Sequence, residues 1–157
     1  MKKIIGLTNS FIKSLISLSI LLILVIICLQ VFFRFVLNNP LSWPEEASRF
    51  LMVWSLFLSS AYAYLDREHA GITFLSRHFG KNLALISEIL IQLIVISFCL
   101  VLIYGGWMEM TILKDLKTGA LGISRAIPYA AIPTSSLILI AFALRLIVTA
   151  FQVRVGK

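Results

Sequence analysis

Four runs of uncharged, mostly apolar residues divide the chain. They are Ser14–Phe33 (20 residues), Phe50–Leu65 (16), Ile89–Met108 (20) and Ala126–Leu144 (19). A helix that crosses the hydrocarbon core of a bilayer needs about 20 such residues, because each adds a rise of about 1.5 Å. Three runs reach that length directly, and the second reaches it if its helix begins at Trp43.

This pattern predicts an all-α integral membrane protein with four transmembrane helices and short interfacial segments. The expected spans are 14–36, 43–65, 84–108 and 127–149, in a single membrane domain over residues 1–157. Lys2, Lys3 and Lys13 precede the first run as in a signal peptide, but the run is too long for one and ends in Gln30-Val31-Phe32-Phe33-Arg34 with no small-x-small cleavage site. We therefore expect the first helix to remain in the protein.

The composition supports insertion into lipid. Hydrophobic residues make up 60% of the chain, charged residues 13%, and the mean hydropathy is +1.00. A soluble domain has about 45–50% apolar and about 25% charged residues, and so short a chain has too little interior to bury the excess. The net charge of +7 comes from basic residues scattered at the ends of the spans, so it does not indicate a nucleic-acid partner.

The basic residues also predict the orientation. If the termini are cytoplasmic, nine Lys and Arg residues lie inside and five lie outside, which agrees with the positive-inside rule. The inner residues are Lys2, Lys3, Lys13, Arg67, Arg77, Lys81, Arg145, Arg154 and Lys157; the outer residues are Arg34, Arg49, Lys114, Lys117 and Arg125.

The residues give little support to catalysis or to independent transport. Pumps and transporters need ionisable groups or interrupted helices within the bilayer, and the four uncharged runs hold no such group. His69 and His78 share one inner loop, and Cys28 and Cys99 have no metal-ligand spacing. We expect no enzyme activity, no cofactor and no metal site. An accessory or structural membrane subunit fits this pattern.

Polar side chains gather where the second helix is expected to begin. Glu45 and Arg49 stand in the favourable i,i+4 order, and acidic residues near a helix N-terminus interact well with its dipole. The residues alone leave two interpretations open, an ordinary interfacial cap and a polar contact with a partner protein. The candidate interface residues at this end are Gln30, Arg34, Trp43, Glu45, Glu46 and Arg49.

Small and helix-breaking residues mark further features. Ser59, Ser60 and Ala61 together with Ala63 form a small-residue face suited to close packing with another helix, and Gly105-Gly106 offers the same in the third helix. The stretch Lys117–Ile127 is too polar to span and is expected to form an interfacial or partly re-entrant loop. Pro133 is expected to kink the last helix without breaking it.

Several of these blocks together resemble the DctQ-like family, the small membrane subunits of tripartite ATP-independent periplasmic (TRAP) transporters. The resemblance covers nearly the whole chain, and the Trp-x-Glu-Glu-x-x-Arg block is its most specific part. The blocks are Gln30-Val31-Phe32-Phe33-Arg34-Phe35, Trp43-Pro44-Glu45-Glu46-Ala47-Ser48-Arg49, Trp54, Arg67-Glu68-His69, Ala120-Leu121-Gly122-Ile123-Ser124, Ile127-Pro128-Tyr129 and Ile132-Pro133.

The resemblance implies a place in a bacterial inner membrane and two protein partners. A large multi-span subunit would hold the substrate and sodium sites, and a periplasmic binding protein would deliver an organic acid such as a sialic acid or a C4-dicarboxylate. For Glu45, Glu46 and Arg49, the resemblance favours a contact with a partner protein over an ordinary interfacial cap. The resemblance also makes Lys114, Lys117 and Arg125 candidates for docking the binding protein. The rival interpretation is a stand-alone structural or chaperone-like membrane protein.

The charge asymmetry yields a direct test of orientation. An alkaline phosphatase fused after Lys157 should be inactive, and a fluorescent protein at the same position should be bright, because both would remain in the cytoplasm. An active phosphatase fusion would overturn the topology.

Overall fold

Helices account for most of the described chain. The computed structural model describes residues 2–66 and 81–155, with side chains described for residues 12–64 and 86–150. The helices are α1 (Lys2–Phe35), α2 (Trp43–Asp66), α3 (Lys81–Leu113), the single turn α4 (Ala126–Tyr129) and α5 (Ala131–Val155). The predicted all-α fold class is confirmed. Arg67, Glu68, His69 and the residues up to Gly80, which include His78, lie outside the described residues.

Within the described residues, three segments are long and apolar enough to cross a membrane. They are Ile12–Phe35, Ile86–Leu113 and Ala126–Ala150. α2 is not among them, because its charged first two turns and its serines and tyrosines lower its hydropathy. The chain is thus an all-α membrane protein, and the count of four spans remains a prediction at α2.

The long helices lie side by side in the order α1, α2, α5, α3. α5 packs against α3 on one side and α2 on the other, while α1 packs against α2. In the most apolar part of α1, no residue is buried within the chain. In the most apolar part of the span formed by α4 and α5, 28% of the residues are buried. α5 is therefore the central helix and α1 a peripheral one. Large apolar side chains along α1 and α3 face outward, as they do in proteins surrounded by lipid.

The contact between α3 and α5 is built from small residues. The most deeply buried side chains of these two helices are Cys99, Ala131, Ser135, Ser136 and Ala143. Because lipid tails are as apolar as leucine, helices in a membrane gain stability from each other mainly through close packing, which small residues permit.

Gly106 marks the closest approach between these two helices. A Cβ atom built on it would lie 3.0 Å from Cδ of Pro133 and 3.2 Å from Cβ of Ile132. A Cβ atom built on Gly105 would meet nothing within 4 Å, so only Gly106 of this pair serves the packing that the sequence suggested.

The last span is interrupted near Pro133. α4 ends at Tyr129 and α5 begins at Ala131, while Ala130 keeps right-handed helical angles of φ −61° and ψ −22°. Proline has no N–H for the carbonyl four residues before it, which here belongs to Tyr129. The hydroxyl of Thr134 donates to the Ala130 carbonyl at 2.8 Å and supports the turn. The helix is thus interrupted in its hydrogen bonding at one residue but not broken, and the kink stays a prediction.

Replacing each glycine of the Gly105-Gly106 pair by leucine tests the close approach. Gly106→Leu should lower the free energy of unfolding by about 1–3 kcal/mol, the usual cost of overpacking a tight contact. Gly105→Leu is the matched control and should leave the stability unchanged or slightly raised, because its site is open and leucine favours a helix. Thermal unfolding in detergent measures both. Equal destabilisation by the two variants would contradict this packing.

Candidate functional site

The segment that joins α3 to α4, residues 114–125 and here called the connecting loop, has a defined backbone. An isolated antiparallel bridge joins Lys117 to Ser124, and the Thr118 N–H donates to the Ile123 carbonyl at 2.8 Å. Gly122 closes the loop with φ +66°, a conformation that costs glycine little. The expected loop is therefore a compact hairpin-like turn, while its depth in a membrane stays a prediction.

Glu46 joins this loop to α2. Its two carboxylate oxygens accept hydrogen bonds from the backbone N–H groups of Ala120 at 3.1 Å and Leu121 at 2.9 Å. We call this the Glu46–loop contact. It spans about half the sequence and ties the start of α2 to the segment that leads into α5. The sequence grouped Glu46 with a partner interface, and the structure gives its carboxylate a role within the chain.

The hydrogen bonds also favour the ionised form of Glu46. The Leu121 N–H makes the largest contribution and holds the pKa of this carboxyl group below its ordinary value, with Ala120 acting in the same direction and desolvation against them. Glu46 lies in the first turn of α2, ahead of the uncharged run that begins at Phe50. The carboxylate is therefore charged at neutral pH and acts as an acceptor only.

Glu45 and Arg49 form the ion pair that their spacing favours. Arg49 Nη2 lies 2.9 Å from Glu45 Oε1, and the two side chains are 67% and 66% exposed, respectively. An exposed pair of this kind adds only about 0.3–0.5 kcal/mol to stability. Both groups remain accessible, so the pair leaves them available to a partner.

The other predicted interface residues do not join one cluster. Gln30 is half-buried on α1, Arg34 is exposed and lies with its guanidinium carbon 5.5 Å from the centre of the Phe35 ring, and Trp43 is 39% exposed. On α2, the hydroxyl of Ser59 donates to the Ser55 carbonyl at 2.6 Å.

The small-residue face predicted on α2 is directed mostly outward. Ser60 and Ala63 are exposed, Ser59 is half-buried, and Ala61 of the same segment is the residue that is buried. The exposed small residues leave room for another helix, and their contact with a partner stays a prediction.

The three basic residues considered for docking all lie on the connecting loop, and all are exposed. The carbonyl of Lys114 accepts a hydrogen bond from the Ser124 hydroxyl at 2.9 Å, and the Arg125 N–H donates to the Leu116 carbonyl at 2.9 Å. The backbone of the loop is thus fixed while the basic side chains of Lys114, Lys117 and Arg125 are free to meet another surface.

A groove of about 560 Å³ opens beside the Glu46–loop contact, between α2 and the segment that contains α4. Its polar lining includes the acid Glu46 as well as Arg49 and Arg125, and its apolar lining includes residues such as Val53, Phe57 and Ile132. The spacing of Arg49, Val53 and Phe57 is typical of one helix face, but nothing in the sequence indicated which segment would lie opposite them.

A second cluster of polar side chains was not predicted from the sequence, because its acid and its amide each stand alone in an apolar helix. Gln92 is buried at 2% exposure, accepts a hydrogen bond from the Tyr64 hydroxyl, and donates through Nε2 to Glu88 Oε1 at 2.8 Å. Glu88 lies inside the candidate span Ile86–Leu113, just before the uncharged run that begins at Ile89. The group links α2 to α3, and a polar residue in an apolar helix was the signal that could have found it.

Comparison with known proteins identifies the family. The model of the family described as "Tripartite ATP-independent periplasmic transporters, DctQ component" matches residues 23–153. The chain belongs to the DctQ family. A Haemophilus influenzae protein named as a TRAP transporter small permease protein is 24% identical over 134 residues, which cover 85% of this chain and 83% of that protein.

The match confirms the resemblance seen in the sequence. The chain is a DctQ component of a TRAP transporter and a multi-pass protein of the inner membrane. The matched residues include the start of α2, the connecting loop and α5, so the Glu46–loop contact lies within the part that matches the DctQ family.

Removing one acceptor tests the Glu46–loop contact. In Glu46→Gln, the amide keeps one oxygen acceptor and places its NH₂ group near a second N–H donor, so the amide hydrogens of Ala120 and Leu121 should exchange several-fold faster with deuterium. Glu45→Gln is the matched control, because this neighbouring carboxylate pairs with Arg49 instead. Hydrogen–deuterium exchange measured peptide by peptide distinguishes the two variants.

The difference in amide exchange between wild type and Glu46→Gln should become smaller as the pH falls. Because the pKa of Glu46 is lowered from its ordinary 4.5, the contact contributes at neutral pH and is lost as the pH falls through the lowered value. The difference between wild type and Glu46→Gln should therefore shrink in acid. Equal exchange in wild type and Glu46→Gln at pH 7 would show that the contact does not hold the loop.

Proposed function

We propose that this chain is the small accessory membrane subunit of a secondary, ion-gradient-driven TRAP transporter. In this proposal, it scaffolds a large multi-span subunit that carries the solute, with sodium as the coupling ion. The family match over residues 23–153 carries the proposal. The name of the Haemophilus influenzae relative, a small permease protein, supports it.

The transported solute in this proposal is an organic acid of the sialic acid or C4-dicarboxylate class, imported from the periplasm. Its support is the resemblance of the blocks at Trp43–Arg49 and at the entry to α5. The net positive charge of the connecting loop, with Lys114, Lys117 and Arg125 against Asp115, suits an approaching acidic protein surface. We assign these three basic residues to contact with the periplasmic binding protein.

We further propose that α2 is the fourth span and that both termini are cytoplasmic. α2 has 24 residues, which at about 1.5 Å each is long enough to cross the hydrocarbon core. Its uncharged part begins at Phe50, and its neighbours α1 and α5 both contain candidate spans. The packing of α2 between two helices that contain candidate spans supports its insertion in the same bilayer.

The surface formed by α1 and α2 is the proposed contact with the large subunit. α1 contributes Gln30 and Arg34, and α2 contributes the exposed small residues and the accessible Glu45–Arg49 pair. Small residues allow another helix to approach closely, and polar side chains at that surface can bond across it. The opposite side of the helix row is formed by α3.

Charge substitutions at Arg49 test the proposed contact. Arg49→Ala should weaken the complex by about 0.6–2 kcal/mol, the range of polar contacts between membrane helices, and so lower recovery of the large subunit on affinity purification. Lys157→Ala is the control, because it removes a basic residue at the opposite end of the chain.

Charge reversal with rescue then separates the partners of Arg49. Arg49→Glu combined with Glu45→Arg restores an ion pair on α2. Recovery of the complex in the double variant assigns Arg49 to the pair within the helix, and continued loss assigns it to an acid on the large subunit. If neither Arg49→Ala nor Arg49→Glu changes complex yield, this contact is wrong. A chain that recovers no large membrane protein at all would instead be a stand-alone structural protein.

A further inference from the structure

The two arms of the connecting loop are joined to each other by backbone hydrogen bonds. The Thr118 N–H donates to the Ile123 carbonyl at 2.8 Å, and the Arg125 N–H donates to the Leu116 carbonyl at 2.9 Å. These bonds fix one arm against the other. They leave the tip of the loop, residues 119–122, to be held by other contacts.

Glu46 holds that tip from another helix. Its Oε1 accepts from the Ala120 N–H at 3.1 Å, and its Oε2 accepts from the Leu121 N–H at 2.9 Å. A Cβ atom built on Gly119 would lie 3.8 Å from the same Oε1, so the carboxylate lies against three consecutive residues. The tip is thereby fixed over the start of α2.

The basic side chains of the loop are carried by the arms that this contact positions. Thr118 is 9% exposed, whereas its neighbour Lys117 is exposed, as expected where successive side chains of an extended arm point to opposite faces. Lys114 and Arg125 are exposed as well. A surface that is ordered before its partner arrives binds more tightly, because the partner does not have to order it.

We propose that Glu46 is a positioning residue for the docking of the periplasmic binding protein. It holds the connecting loop in one arrangement, so that Lys114, Lys117 and Arg125 meet the partner together. The two hydrogen bonds from the loop tip to a carboxylate on α2 carry this assignment. It rests on the docking role proposed above for the three basic residues.

Charge and position predict opposite effects for the same substitution. Glu46→Gln removes a negative charge beside a basic loop, so a loop that acted through charge alone would attract an acidic protein surface more strongly. If the carboxylate positions the loop, the same substitution weakens docking. Asp115→Asn is the matched control, because it removes an exposed negative charge from the loop without touching the Glu46–loop contact.

The test measures the affinity of the purified binding protein for the complex of small and large subunits in nanodiscs, by biolayer interferometry. Glu46→Gln should weaken binding about fivefold, the lower end of the cost of fixing the backbone of one residue. Asp115→Asn should leave binding equal or tighter, and recovery of the large subunit should be the same in both variants. Binding by Glu46→Gln that is equal to or tighter than that of the wild type would overturn the proposal.

A second pair of variants disturbs the loop without altering its charge. Gly122 has φ +66°, which is costly for a residue with a Cβ atom, so Gly122→Ala should weaken docking as Glu46→Gln does. Gly119→Ala is its control, because the added Cβ would meet Glu46 at an ordinary contact distance and the φ of Gly119 is not positive.

Lys117→Gln separates a failure of this proposal from a failure of the docking role. It should weaken binding, because it removes one of the three exposed cations. If Lys117→Gln weakens binding while neither Glu46→Gln nor Gly122→Ala does, the positioning role alone is wrong. If Lys117→Gln has no effect, the docking role is wrong and the positioning role falls with it.

Discussion

The close contact between α3 and α5 is the constraint on which the rest of the structure depends. Helices in lipid gain little by hiding apolar surface from one another, so they associate where backbones can come near. Gly106 meets Ile132 and Pro133, and buried alanines and serines extend the contact along α5. α5 is thereby held beside α3, and its other side is left for α2.

The site at the start of α2 follows from that arrangement. Once α3 and α5 are adjacent, the loop that joins them must turn back over a short distance, and its hairpin-like bridge brings Ala120 and Leu121 to Glu46. The same turn places Arg125 opposite Arg49 and creates the groove between them. The contact and the groove are thus two consequences of one helix packing.

α1 and α2 form the surface that is proposed to contact the large subunit. α1 buries none of its most apolar window within the chain, and α2 presents exposed small residues beside it. The charged residues of the described part lie mainly at helix ends and in the connecting loop, where they can meet proteins and headgroups without entering the hydrocarbon core.

The sequence predicted the helices better than their arrangement. Charges bounded the runs sharply enough to locate α1, α2, α3 and the last span, and the i,i+4 spacing predicted the Glu45–Arg49 pair. The order of the helices was not predictable, because a helix that is apolar on every side carries no pattern to show which face packs.

The candidate site was only partly predictable, because the partners of its side chains depend on how distant segments pack. Glu45 and Glu46 are adjacent and chemically alike, yet one pairs with Arg49 and the other bonds a loop more than 70 residues away. That difference depends on the fold of the connecting loop, which the sequence described only as polar and broken. The group of Gln92 and Glu88 was missed because Tyr64, which donates to Gln92, lies on another helix, while Glu88 accepts from Gln92.

The most direct test of the accessory role is solute uptake by reconstituted liposomes. Three preparations are compared, with the small subunit alone, the large subunit alone and both together, each with the periplasmic binding protein, a labelled organic acid and an inward sodium gradient. We expect uptake only where the large subunit is present, and full uptake only where both are. Sodium-driven uptake by the small subunit alone would contradict the accessory role.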